Sequence, residues 1–153
     1  MEVLLFTAAD EPFLTRLADL DEILMPARLR LLSGTPRFIA GVLNLRGQTL
    51  PVLALAERLG GSHPTGWRRG SRILRFTAAG HPLGLIVDSV AGIRTLGDDQ
   101  RRPSMLGGRV GGGADLWLID GVLTQEIRLS DLLAPAELAL LRDLAPGAPG
   151  APA

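Results

Sequence analysis

Cysteine is absent from the 153-residue chain, and so are lysine and tyrosine. Without cysteine there is no disulfide, no thiolate nucleophile and no cysteine-ligated metal. Without lysine there is no Schiff-base chemistry and no lysine-dependent phosphate loop. A net charge is missing too: sixteen acids meet sixteen bases, all of them arginine. No overall field therefore draws the chain to nucleic acid or to an anionic membrane. No apolar run approaches the roughly 18–20 residues that cross a bilayer. The opening MEVLLFTAADEP starts with an acid rather than with the basic stretch of a signal peptide. The expectation from these absences is a soluble, cytoplasmic protein. The two histidines, His63 and His81, stand in His-Pro dipeptides within turn-like segments, which is no pattern for a metal site or a catalytic triad.

What is present is short apolar runs cut by 19 glycines and 11 prolines, the punctuation of an all-β chain. Glu2 to Ala8 reads as a strand that turns at Ala9 to Pro12, and Phe13 to Leu17 alternates before a segment stopped by Pro26. Phe38 to Leu45 (FIAGVLNL) is an apolar strand whose internal Gly41 predicts a bend or bulge. Arg46–Gly47 reads as a hairpin tip, Thr49 to Leu55 as the returning strand, and Leu55 to Leu59 as a short helix ended by glycines. Ser62 to Ser71 (SHPTGWRRGS) reads as a surface crossing. Beyond it come strands at Arg72 to Phe76 and Leu83 to Val90, a loop at Asp98 to Gly113 that is mobile by composition, and a second hairpin turning at Asp120–Gly121. Glu137 to Leu144 has a helical pattern, and Ala145 to Ala153 (APGAPGAPA) reads as a disordered tail.

Gly41 to Leu59 is echoed by Asp115 to Leu133 at an offset of 74 residues, with Gly47 facing Gly121 at the same hairpin tip. A repeat of that kind predicts two small lobes, one about 1–62 and the other about 71–144, each ending in a hairpin and a short apolar cap.

Reactive chemistry is missing from the pattern. The serines lack a nucleophile elbow, Asp98–Asp99 reads as solvated charge, and Gly107 to Gly113 is not followed by the helix start of a phosphate cradle. No catalytic residue, metal site or cofactor is expected. A basic cluster, Arg68, Arg69, Arg72 and Arg75, offers the alternative of a small β-barrel that binds nucleic acid, although only Trp67 lies beside it to stack a base. Arg46 at a hairpin tip and Glu22 between Leu20 and Ile23 are candidates for an ion pair in which arginine clasps the carboxylate with two donors. The other reading is two unrelated surface charges.

The stretch Thr35 to Gly60 (TPRFIAGVLNLRGQTLPVLALAERLG) resembles CheW-like domains, the adaptor modules of bacterial chemotaxis arrays. Pro36, Phe38, Gly41, Val42, Asn44, Arg46, Gly47, Pro51 and Val52 fall in the family's register without a gap. Leu20, Glu22 and Ile23 fit its V-x-E-I step, and Gly84 to Val90 fits its second-lobe G-hydrophobic-hydrophobic-V-D-x-V strand. The resemblance implies two small five-stranded SH3-like barrels packed side by side, with short helices at the caps and C-terminus and no enzymatic activity. It also implies a scaffold in signal transduction by a two-component system, serving chemotaxis or related motility. The groove between the lobes takes the cytoplasmic tip of a chemoreceptor, other faces bind the regulatory domain of a CheA-type histidine kinase, and the location is cytoplasmic, at receptor arrays beneath the inner membrane. No nucleic acid and no direct membrane insertion enter this picture. Carried over by position, the partner-binding residues are Leu20, Glu22, Ile23, Asn44, Arg46, Gly47, Val87, Asp88 and Ile93. The sequence departs from the family at Ala54 and Arg128, where aspartate is common.

Overall fold

The structure, a computed structural model, describes residues 1–59, 69–102 and 115–144. The 62–71 crossing (apart from its last residues), most of the glycine-rich loop and the tail lie outside the described residues.

Four hairpins organise the chain: β1 (Glu2–Ala8) with β2 (Glu11–Arg16), β4 (Ile39–Leu45) with β5 (Gln48–Ala54), β6 (Arg72–Ala78) with β7 (His81–Val87), and β10 (Leu116–Ile119) with β11 (Val122–Glu126). Single strands β3 (Glu22–Leu24), β8 (Ser89–Thr95) and β9 (Arg101–Arg102) complete two sheets. All four hairpins turn through two residues with positive φ: Ala9–Asp10 (52°, 62°), Arg46–Gly47 (50°, 82°), Ala79–Gly80 (50°, 80°) and Asp120–Gly121 (50°, 78°). These are the turns whose own twist matches that of the flanking strands, so the strands leave them paired and in register. Two of the expected features shift. The run Leu83 to Val90 breaks at Asp88 into β7 and β8, and the start of the loop expected to be mobile holds a 3-10 turn at Asp98–Gln100 and then β9.

The sheets do not follow the halves of the sequence. One has the order β8-β1-β2-β11-β10-β9, the other β3-β6-β7-β5-β4. The first hairpin of the chain thus pairs with the last, parallel across β2 and β11, and the second pairs with the third, parallel across β5 and β7. Each sheet draws strands from both sides of the crossing expected to separate lobes of about 1–62 and 71–144. A composition-based boundary marks where the chain is exposed and polar, but it carries no information on which sheet a hairpin joins. Each echoed hairpin does sit in a different sheet. A second echo explains the exchange. FTAADEP at 6–12 and FTAAGHP at 76–82, offset by 70 residues, form the equivalent hairpins β1–β2 and β6–β7. Ile23 faces Leu74 across one ladder just as Ile93 faces Leu4 across the other. The chain is a tandem of two similar halves that trade their leading hairpins.

The period-2 alternation of each strand then serves two cores. Leu50, Val52, Ala54, Ile73 and Ile86 fill the inside of the five-stranded sheet, and Val3, Leu14, Leu96, Trp117 and Ile119 the inside of the six-stranded one. The opposite faces send Leu4, Phe6, Phe13, Leu74, Phe76 and Leu85 into a third cluster shared by both sheets. There the rings of Phe6 and Phe13 lie 6.0 Å apart. The five-stranded sheet curls until the connection 25–38 meets β4: Arg30 and Val42 exchange N–H···O bonds of 2.8 and 2.9 Å. Gly41 permits this closure. Its φ is +153°, and a Cβ there would stand 2.8 Å from the Arg30 carbonyl oxygen. The expected bulge is at this point, a register shift between Ile39 and Gly41.

Two helices cap the structure. The short α1 (Leu55–Arg58) buries Leu55 and Ala56, and α2 (Pro135–Leu144) buries Leu141 in the shared core. Glu137 starts α2 by accepting the N–H of Ala134 at 2.9 Å, the return half of a capping box. Arg58 clasps the same carboxylate through two bonds of 2.7 Å and lies 5.1 Å over the ring of Phe38, which fastens α2 to the first cap. In the six-stranded sheet Glu126 is buried, yet both its oxygens are used. Oε2 accepts from Arg16 Nε at 2.9 Å, and Oε1 accepts from Trp117 Nε1 at 3.0 Å. Arg128, one of the departures from the family pattern, adds its guanidinium 3.8 Å from Oε2.

Candidate functional site

Arg46 does reach Glu22, but not by the expected two-donor clasp. Its Nη2 donates to Glu22 Oε1 at 3.0 Å, and Arg75 Nε donates to the same oxygen at 3.3 Å. The turn aims the first guanidinium and the β3–β6 ladder the second, since Glu22 and Arg75 are direct cross-strand partners. Two cations on one carboxylate lower the Glu22 pKa below its usual 4.5, the Arg46 hydrogen bond most of all and Arg75 after it, while partial desolvation opposes them. Next to the pair, Thr77 donates its hydroxyl to Asp21 at 2.8 Å. The side chain of Asn44 accepts the Gly47 N–H at 3.2 Å and stiffens the tip that carries Arg46.

The equivalent corner of the other sheet repeats this arrangement with the charges reversed. Asp120 occupies the tip position of Arg46, and Arg94 on β8 clasps it through bonds of 2.9 and 3.3 Å. The hydrogen bond from Arg94 holds the Asp120 carboxyl below its usual value and raises the guanidinium in turn. In each sheet a hairpin tip is thus tied to a single strand that displays an isoleucine: Ile23 is 40% exposed and Ile93 53%. Val122 and Leu123 are also exposed beside the second tip, where the first has the polar Gln48 and Thr49.

The expected partner-binding residues divide accordingly. Glu22, Ile23, Asn44, Arg46 and Gly47 gather at the first corner, and Ile93 stands at the second. Leu20 is half-buried against the shared core. Val87, expected to line a groove, is only 1% exposed; as the last of five consecutive buried residues of β7 it belongs to the shared core. Asp88 is half-buried where the chain passes from one sheet to the other, and its N–H bonds to the Thr7 carbonyl at 2.9 Å. Sequence reasoning missed Arg75, Arg94 and Asp120. The FTAA echo was the available signal, because it places β8 opposite β1 as β3 lies opposite β6.

The basic cluster is not assembled as a nucleic-acid groove among the described residues. Arg75 serves Glu22 and also lies 3.9 Å from Asp21, and Arg72 donates to the Arg69 and Ser71 carbonyls. Arg68 lies outside the described residues. Among the described residues no group of three or more His, Cys, Asp or Glu side chains is placed to hold a metal ion.

Residues 2–136 match the CheW-like domain family. Over 103 residues the chain is 30% identical to the probable chemotaxis protein CheW of Rhizobium etli, covering 67% of this chain and 66% of that protein. It is 26% identical over 103 residues to the chemotaxis protein CheW of Klebsiella aerogenes, covering 67% and 61%. The chain thus spans just under two thirds of the length of these curated relatives. Among solved structures it is similar to the scaffolding protein TtCheW from Thermoanaerobacter tengcongensis, with a TM-score of 0.73, 26% identity, and coverage of 82% of this chain and 87% of that one. The likeness fits a pair of SH3-like barrels, here with six strands rather than five in one sheet because β9 adds an edge.

Proposed function

The chain belongs to the CheW-like domain family, and on that premise we propose that it is a non-enzymatic scaffold coupling chemoreceptors to a CheA-type histidine kinase, in chemotaxis or related motility signalling. The observation that carries this reading is the pair of exposed isoleucines, Ile23 and Ile93, at equivalent positions of the two sheets, each beside an ion-paired hairpin tip. A coupling protein needs apolar contact surface held in fixed geometry and no reacting group. The cytoplasmic tip of a receptor packs on these isoleucines, with Leu20 beneath and the Arg46–Glu22 pair, supported by Asn44 and Gly47, as its polar rim. Asp88 sets the joint between the two sheets. The regulatory domain of the kinase takes another face, and the protein acts in the cytoplasm at the receptor array. No helix among the described residues is long and apolar enough to cross a membrane.

The test is reconstitution with a receptor cytoplasmic fragment and the kinase, reading kinase autophosphorylation and co-sedimentation with the receptor. The chain is expected to raise phosphorylation only when receptor is present. Ile23→Asp and Ile93→Asp should each weaken receptor binding about tenfold or more, the cost of placing a charge in an apolar contact, with unchanged circular dichroism. Co-sedimentation that both variants retain at full affinity would overturn the proposed surface. A chain that never joins receptor to kinase would overturn the function itself.

A further inference from the structure

From Ile23 to Ala56 the chain contains no acidic residue, while Arg28, Arg30, Arg37 and Arg46 fall in that interval. Arg46 is engaged with Glu22. Arg28, Arg30 and Arg37 have no carboxylate partner among the described residues, whereas Arg16, Arg58, Arg75, Arg94, Arg101 and Arg128 each have one. Arg69, Arg72, Arg102 and Arg142 also lack a carboxylate partner among the described residues, but Arg28, Arg30 and Arg37 share one connection, 25–38, that carries no acid to offset them.

That connection meets β4 at a single bridge, Arg30 with Val42. An antiparallel strand directs its N–H and C=O groups to alternate sides. Val42 turns its pair outward to Arg30, and so Asn44, two residues on, turns its pair to the same outer edge. Arg28 would face Asn44 if the bridge continued, but no bridge forms there. Beside this open edge lies a pocket of about 290 Å³. Arg30, Leu32, Val42, Asn44 and Gly47 line it, together with Thr49, the cross-strand partner of Asn44. Leu31 and Met25 of the same connection are exposed to 80% and 66%.

We propose that this edge receives an extended acidic segment of a partner protein. Its backbone pairs with the outward N–H and C=O of Asn44, one apolar side chain enters the pocket against Leu32 and Val42, and its carboxylates meet Arg28 and Arg30. An open strand edge supplies the main-chain bonds and a neighbouring pocket the selectivity, the usual division in strand addition. The charge complementarity selects the sign, since the nearest acid of the first corner, Glu22, is already held by two arginines.

The probe is a fluorescein-labelled octapeptide alternating glutamate and valine, followed by fluorescence polarisation with the full chain. Two control peptides accompany it, one alternating lysine and valine, the other the glutamate peptide with alternate backbone nitrogens methylated. Saturable binding of the glutamate peptide is expected. The methylated peptide and the lysine peptide should bind at least about tenfold more weakly, as should the variant Arg28→Glu/Arg30→Glu, whose two exposed positions leave the fold intact by circular dichroism. Arg37→Glu alone should weaken binding less. No saturation by the glutamate peptide would overturn the proposal. So would equal binding of the methylated peptide, which would leave only a diffuse attraction for anions. Self-association, or binding to phosphatidylglycerol vesicles, that Arg28→Glu/Arg30→Glu abolishes would assign the edge to a second copy or to lipid instead. Asn44 and Gly47 also support the proposed receptor rim, but the residues varied here, Arg28 and Arg30, and those varied in the receptor test, Ile23 and Ile93, are distinct, so the two tests fail independently.

Discussion

Glu126→Ala removes the single fully buried charged side chain among the described residues, 2% exposed. Three losses follow. Trp117 Nε1–H, on a side chain 3% exposed, is left with no acceptor, which costs about 1–3 kcal/mol. The charge-assisted bond from Arg16 and the 3.8 Å ion pair with Arg128 are lost, but both guanidiniums are a third or more exposed and can turn to water, so this part stays at or below about 1 kcal/mol. Deleting the carboxyethyl body leaves a void worth about another 1 kcal/mol. The total of about 2–5 kcal/mol overlaps the cost of breaking a buried pair from one side and corresponds to a fall in Tm of about 10 °C for a chain of this length. Glu126→Gln keeps the volume and one carbonyl oxygen, enough for Trp117 but not for Arg16 as well, and should lose about 1–2 kcal/mol. Urea unfolding followed by far-UV circular dichroism reads both, at constant m-value. Trp117→Phe should cost less in the Glu126→Ala background than in the parent, because the indole has already lost its acceptor. Equal losses for the Ala and Gln variants, or a Trp117→Phe cost identical in both backgrounds, would refute the assignment of Glu126 as the shared acceptor.

Thr15 is fully buried with no hydrogen-bond partner for its hydroxyl; Thr15→Val should therefore raise stability by about 1 kcal/mol in the same urea assay, and a loss would point to a hidden acceptor. Gly84→Ala should destabilise by about 1–3 kcal/mol, because the new Cβ would stand 2.8 Å from Ile73 Cγ2 and 3.2 Å from Val52 Cγ2; a neutral melting curve would show that the interior of the five-stranded sheet yields. Glu22 and Asp120 both have depressed pKa values in the folded state, so their contribution is present above their ordinary values of 4.5 and 3.8 and is lost as pH falls through the folded values. Urea midpoints taken from pH 6 to pH 3 should fall less steeply in Glu22→Gln/Asp120→Asn than in the parent, and parallel curves would count against both ion pairs.

The sequence made the local elements legible wherever backbone chemistry is strict. A two-residue tip such as Arg46–Gly47 between alternating apolar strands admits few other conformations, and the glycine inside FIAGVLNL marked the bulge at Gly41. The Glu22–Arg46 pair was legible from an acid among apolar neighbours and an arginine at a turn. Arg75 was not, because a cross-strand partner depends on register, and the register of β3 against β6 is settled by contacts 50 residues apart along the chain. Val87 was placed on a groove by the family resemblance alone, and its burial depends on β7 having neighbours on both sides, which no local pattern shows. Glu126 was overlooked for the converse reason: in TQEIRL it looks like an ordinary outward charge, and only the arrival of Arg16 from the first hairpin makes its burial tolerable. The exchange of hairpins lay beyond any reading of linkers, although the repeated FTAA carried the clue.

That exchange also sets a timetable for vectorial synthesis. Every strand of the five-stranded sheet lies between Glu22 and Val87, so this sheet can close while the rest of the chain is still being made. The leading hairpin emerges first but must wait. Its two flanking partners, β8 and β11, end at Thr95 and Glu126, so its edges stay open until most of the chain has left the ribosome. Two consecutive products of one duplicated design thus mature in reverse order: the strands made first are the last to be enclosed.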